Sequence, residues 1–132
     1  MQDRPSAAEL VLAVKEHLER EVMPAQKSPK LRFQTLVAAH VLSVVLREIE
    51  HGEKAAREEL ASLRALQGDD GAPAPATSSE VLEEVSRRTR ALSAAIRKGD
   101  AGDGACVLAH VRGVAMAKLA IANPAYRSLR SP

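Results

Sequence analysis

The stretch "SPKLRFQTLVAAHVLSVVLREIEHG", residues 28–52, constrains the fold more than any other. Ser28 can cap a helix, Pro29 suits its first position, and Gly52 reads as its close. Leu31, Phe33, Val37, Val41, Leu42, Val44, Val45, Leu46 and Ile49 spread apolar character around most of the helix. Arg32, His40, Ser43, Arg47 and Glu50 leave one narrow polar stripe. A helix so apolar must be covered on more than one side, which predicts a bundle with this helix at its centre. One Phe, one Tyr and no Trp leave Leu, Val, Ile and Ala to build the core. Such side chains suit closely packed helices. A chain of 132 residues fits one domain around one core.

The remaining segments supply four more helices. "DRPSAAELVLAVKEHLEREVMP" opens with Ser6 and Glu9 in capping-box spacing and places Ala7, Leu10, Val11, Val14, Leu18 and Val22 on one face. Pro24 should end it. "EKAAREELASLRALQG" follows with Leu60, Leu63 and Leu66. "GDDGAPAPAT", residues 68–77, has no periodicity and reads as a mobile Gly/Pro/Ala linker. "SSEVLEEVSRRTRALSAAIRKG" aligns Val81, Val85, Leu92 and Ile96, with Arg87, Arg88 and Arg90 as solvated surface. "ACVLAHVRGVAMAKLAIAN" is the fifth helix. Pro124 disfavours helical geometry at Asn123, so the run stops there, and the Asn123 amide could tie the tail "AYRSLRSP" to the last turn. The expectation is an all-α, single-domain five-helix bundle over 1–132, with the second and fifth helices most buried.

Net charge is +2, from 19 basic and 17 acidic side chains, too balanced to imply nucleic acid or an anionic membrane as partner. Aromatic faces for stacking bases are nearly missing. Cys106 is the only cysteine, so no intrachain disulfide forms. Residues 3–21 carry charge throughout, unlike a signal peptide, and no apolar run is expected to reach the roughly 18 residues of a membrane span. The expected setting is the cytoplasm.

No catalytic constellation emerges. Glu48 and His51 have Glu-x-x-His spacing, but a di-iron bundle needs a second such unit, and none is present. His17 and Glu21 read as a surface pair. His40 and His51 are too far apart for one metal ion. His110 reads as a satisfied core or interface histidine, and Cys106 as a buried, inert thiol. "GDAGDG" follows a helix and lacks the strand of a phosphate loop. No metal or cofactor is implied.

Two groups of residues stand out. The stripe Arg32, His40, Ser43 and Arg47 reads as a solvated groove edge, a buried network fixing helix register, or an anion site to which Lys118 could add. Lys118 alone reads as a snorkelling side chain or a carboxylate's partner. On the fifth helix Cys106, Ala109, Gly113, Ala117 and Ala120 form a small-residue strip, opposite Val107, Val111, Val114 and Ile121. Both sides then need cover, one from the core and one from a second subunit, which predicts a homodimer.

Three segments, "RPSAAELVLAVKEHLEREVMP", "LRFQTLVAAHVLSVVLREIEHG" and "LAHVRGVAMAKLAIANPAY", together resemble a bacterial family of small proteins classed as a domain of unknown function. Arg4-Pro5, Arg32-Phe33, Arg47-Glu48 and Lys118 through Pro124 carry the likeness best. His40 stands where that pattern more often has asparagine, which weakens a role for it as a required base. Members are typically encoded beside, or fused to, proteins of the aminoglycoside-phosphotransferase type, with acyl-CoA dehydrogenase genes nearby. The missing catalytic constellation, the two-sided fifth helix and that gene neighbourhood together predict a helical accessory or interaction protein rather than an enzyme, self-associating and partnering a kinase-like or acyl-CoA-metabolising protein. The alternative is a small-molecule-binding domain or an enzyme that holds an anion or acyl-CoA through the Arg32/Arg47 stripe.

Overall fold

A computed structural model describes residues 3–126, and the tail beyond Tyr126 that Asn123 was expected to tie back lies outside them. The fold is all-α, with no strand among the described residues. The described residues form four helices, not five. The first, α1, spans Ala7–His17 and continues through a π-helical turn, Leu18–Val22, into one last turn, Met23–Ala25. Ser6 and Glu9 form the expected capping box, Glu9 N–H donating to Ser6 Oγ at 3.2 Å and Ser6 N–H to Glu9 Oε2 at 2.7 Å. Pro24 sits inside the last turn rather than beyond it. It has no N–H for the carbonyl of Arg20, and the widened turn lies where that bond is missing.

The second helix, α2, runs unbroken over Pro29–Leu66, 38 residues. Ser28 caps it, its Oγ accepting from Leu31 N–H at 3.4 Å. This merges the two helices expected over 28–68 and corrects the reading of Gly52 as a terminator. A glycine stop works through left-handed backbone, and the left-handed glycines are Gly68, Gly99 and Gly102. Gly52 is an interior helical residue overlaid by the Glu48 side chain. The third helix, α3, is Ser78–Lys98, capped by Thr77 with Glu80 and closed by Gly99 at φ 77°. The fourth, α4, is Gly104–Ala122. Asn123 leaves it, as Pro124 requires.

The chain divides into two compact units. One runs to Gly52 and takes in Ile121–Asn123; the other takes Glu53–Ala120. In the second, Leu60, Leu63, Val81 and Leu92 are buried, joined by Arg64 and His110. In the first, Ala39 is the buried residue. The expected burial of the second and fifth predicted helices therefore does not hold. Leu31, Phe33, Leu36, Val37, Val41, Val45 and Ile49 are exposed, and His110 is the buried residue of α4. The deepest positions fall in the predicted third and fourth helices, where shorter apolar faces meet. By length and composition α4 could cross a membrane. This corrects the expectation that no apolar run is long enough, because Arg112 and Lys118 punctuate the helix without removing its apolar character.

Candidate interaction surface

Three of the four residues of the expected polar stripe donate to backbone carbonyls. Arg32 is exposed and donates to the Gln26 carbonyl at 3.0 Å, holding the turn before α2. Ser43 donates back to the Ala39 carbonyl at 3.2 Å. Arg47 is half-buried and donates through Nε to the Ile121 carbonyl at 2.6 Å, satisfying an orphan acceptor at the end of α4. His40 is exposed. Arg32 and Arg47 lie on one unbroken helix, about 22 Å apart along its axis. Lys118 is 69% exposed, its Nζ 3.6 Å from Glu59 Oε2, which joins the snorkelling and pairing readings in one long surface contact.

On α4 the small-residue strip is open. Cys106, Ala109, Gly113 and Ala120 are exposed and Ala117 is half-buried. Nothing lies within 4 Å of a Cβ built at Gly113. Cys106 is thus exposed rather than buried, yet it is no activated nucleophile. Asp103 accepts from its Sγ at 3.4 Å, and that carboxylate pushes the thiol pKa up. His110 is satisfied as expected, Nδ1 sharing a 2.7 Å hydrogen bond with Ser62 Oγ.

The largest feature is apolar. Along α2, Phe33, Val37, Val41 and Val45 recur every four residues and all are exposed, Phe33 at 65% and Val41 at 52%. Residues four apart are neighbours on a helix surface, so they form one continuous ridge. With Leu36 and Ile49 beside it, the ridge presents roughly 500 Å² of apolar surface, the upper end of what a monomer leaves open. Leu10 and Val14 on α1 and Leu108 and Val111 on α4 are exposed as well. The wide apolar face was visible in the sequence; which part of it stays uncovered was not.

A second feature went unseen. Arg64 is buried and donates to Glu84 through Nε at 2.9 Å and Nη2 at 2.8 Å. Its Nη1 donates to the carbonyls of Ala72 and Pro73 at 2.9 and 3.1 Å. Arg88 donates to Glu84 at 2.7 Å and to Gln67 Oε1 at 2.7 Å, and it pairs with Asp69. Hydrogen bonds from Arg64, and then from Arg88, hold the Glu84 carboxyl down to about 2. Arg88 is therefore no solvated member of a basic cluster, and the 68–77 segment is tied down at its backbone. Arg57 fastens it again, donating to the Pro75 carbonyl at 3.2 Å. The missed signal was angular: Arg64 lies about 40° from Leu60, and Arg88 about 40° from Leu92, at the edges of the apolar arcs.

A cleft of about 300 Å³ lies beside this network, lined by Arg57, Leu60, Ala61, Arg64, Asp70 and Pro75 among others. Both guanidiniums are already occupied by protein acceptors. No group of His, Cys, Asp and Glu among the described residues is placed to hold a metal ion.

A model of the family described as a domain of unknown function, DUF6285, matches residues 25–126. The match takes in Arg32-Phe33, Arg47-Glu48 and Lys118 through Pro124, and it begins after the first of the three segments that carried the resemblance. No curated protein and no solved structure matches the chain.

Proposed function

The chain belongs to the DUF6285 family, and from that premise we propose that it is a helical accessory protein whose work is association, first with a second copy of itself. The exposed apolar ridge on α2 carries this reading. Half-exposed Phe and Val side chains in a continuous row are costly in water, at about 25 cal/mol per Å² of apolar surface. Fixed local structure with uncovered apolar surface is what an association surface needs. The small-residue strip of α4, Cys106, Ala109, Gly113, Ala117 and Ala120, is a second surface open to a neighbour. A phosphotransferase-like or acyl-CoA-metabolising protein is the heterologous partner the family resemblance implies, and the cytoplasm is the setting that goes with it.

The anion-binding alternative has no comparable support. Arg32 and Arg47 each serve a backbone carbonyl, and their separation along α2 prevents both from gripping one small anion. Light scattering across the micromolar range tests the main reading. A mass of two chains that falls on dilution is expected, and a mass of one chain at 100 micromolar would overturn self-association.

A further inference from the structure

We infer that two copies of this chain pair antiparallel through residues 30–48 of α2, in one register in which Lys30 meets Glu48, Phe33 meets Val45 and Val37 meets Val41. The inference rests on the self-association proposed above and names its surface and geometry.

The argument starts from spacing. Lys30 and Glu48 are 18 residues apart, which is five helical turns, so they lie on the same side of α2. Phe33, Val37, Val41 and Val45 lie between them, within about 60° of that line. This side of α2 is therefore a stripe with a cation at one end, an anion at the other and, Gln34 apart, apolar residues through the middle. All six are exposed. All of them stand in the unit that runs to Gly52.

The stripe is self-complementary in one direction only. Placed antiparallel about a two-fold axis level with residue 39, position 30 faces 48, 33 faces 45 and 37 faces 41, with no offset between pairs. Both Lys30–Glu48 contacts form at once, because a two-fold interface repeats every contact. A parallel pair would set Lys30 against Lys30 and Glu48 against Glu48, which repel. The charges thus select both orientation and register, while the apolar ridge supplies the drive.

A second observation points the same way. The first turn of α2 holds Lys30 and no acidic residue. Basic residues at a helix N-terminus oppose the helix dipole, so Lys30 is misplaced for its own helix. An acidic partner brought by a second copy gives it a reason to be there. The unpaired area also suits this occupant. Roughly 500 Å² of ridge on each copy, with the stems of Lys30, Gln34 and Glu48 added, approaches the roughly 800 Å² per partner of a specific interface.

Charge exchange tests the pairing. Lys30→Glu and Glu48→Lys should each weaken the dimer about tenfold, measured by sedimentation at low salt. An equimolar mixture of the two variants should recover wild-type affinity, because each copy then presents the charge the other lacks. Val41→Asp should yield monomer with unchanged circular dichroism, since the side chain is exposed within one copy. Cross-linking adds register. In a Cys106→Ser background, Val37→Cys with Val41→Cys should form an intermolecular disulfide, and Val41→Cys alone should not. A wild-type dimer indifferent to both charge reversals and to Val41→Asp would overturn this pairing and leave self-association standing. A wild type that is monomeric at 100 micromolar would remove both.

Discussion

Leu63 and Val41 belong to one continuous helix, yet Leu63 is 0% exposed and Val41 is 52% exposed. The difference separates two ways of using an apolar residue. Around Leu63, in the Glu53–Ala120 unit, Leu60, Val81 and Leu92 are buried with it, and the two buried polar residues, Arg64 and His110, both have partners. That cluster is covered, and its polar members are satisfied. Around Val41, in the unit that runs to Gly52, apolar residues line up without cover, and Ala39 is the buried one. There the pattern is regular but unfinished, as an association surface should be. Apolar periodicity alone marks both; only the neighbouring polar groups tell them apart.

Truncation should show the widest gap. Leu63→Ala should cost about 2–5 kcal/mol in urea unfolding, because a fully buried side chain is replaced by a void. Val41→Ala, measured under dilution that leaves single chains, should stay within about 0.5 kcal/mol, as surface changes do. At concentrations where copies associate, the same substitution should cost more. Equal losses from both substitutions in the dilute protein would erase the contrast.

The charged cluster sharpens the first half of it. Glu84→Gln would leave Arg64 and Arg88 without their shared carboxylate, and the melting temperature should fall by about 5–10 °C. Acid should do the same gradually. Glu84 sits at about 2 against an ordinary 4.5, so its contribution is complete above about pH 4.5 and is lost as the pH falls toward 2. The Glu84→Gln protein should lack that part of the acid transition. An identical stability profile for the two proteins between pH 4.5 and 2 would mean that the cluster contributes nothing to the fold.

A smaller effect concerns the segment at 68–77. Its glycines and prolines suggested free chain, but Arg57 and Arg64 hold its carbonyls. Arg57→Ala removes one such bond, worth about 1 kcal/mol, and should speed limited proteolysis within 68–77 about fivefold. Unchanged cutting would show that the Arg57 contact does not restrain the segment. Cleavage that starts inside α2 or α3 would overturn the helix assignments themselves.

Much of this was legible in the sequence, for reasons that differ residue by residue. The first two helix starts were readable because Ser6 and Ser28 act through short-range hydrogen bonds. The exit at Asn123 was readable because proline constrains the residue before it locally. Burial was not. Whether Phe33 is covered depends on which residues come back to it from elsewhere in the chain, and periodicity carries no such information. The Arg64–Glu84 pair joins residues 20 apart in sequence, across a segment with no pattern of its own. Of the candidate site residues, the sequence marked Arg32 and Arg47 as unusual on an apolar helix but could not show that carbonyls of Gln26 and Ile121 occupy them.

The smallest expected effect falls at Gly52, where the two regions meet within α2. Read locally, glycine after "REIEH" is a helix stop, and alanine there would cost about 1 kcal/mol by forcing a side chain into left-handed backbone. Read from the structure, Gly52 is an interior helical residue, where alanine is favoured over glycine by about 1 kcal/mol. A new Cβ would meet the end of the Glu48 side chain, with Cδ at 2.8 Å and Cγ at 3.4 Å. Glu48 is exposed and flexible, so it can swing aside, at the loss of part of the gain. Gly52→Ala should therefore stabilise the protein by about 0.5 kcal/mol and raise its helical signal slightly in circular dichroism. A loss near 1 kcal/mol would place a break at Gly52. The helix would then end where the sequence suggests, and the buried and exposed regions would belong to separate helices.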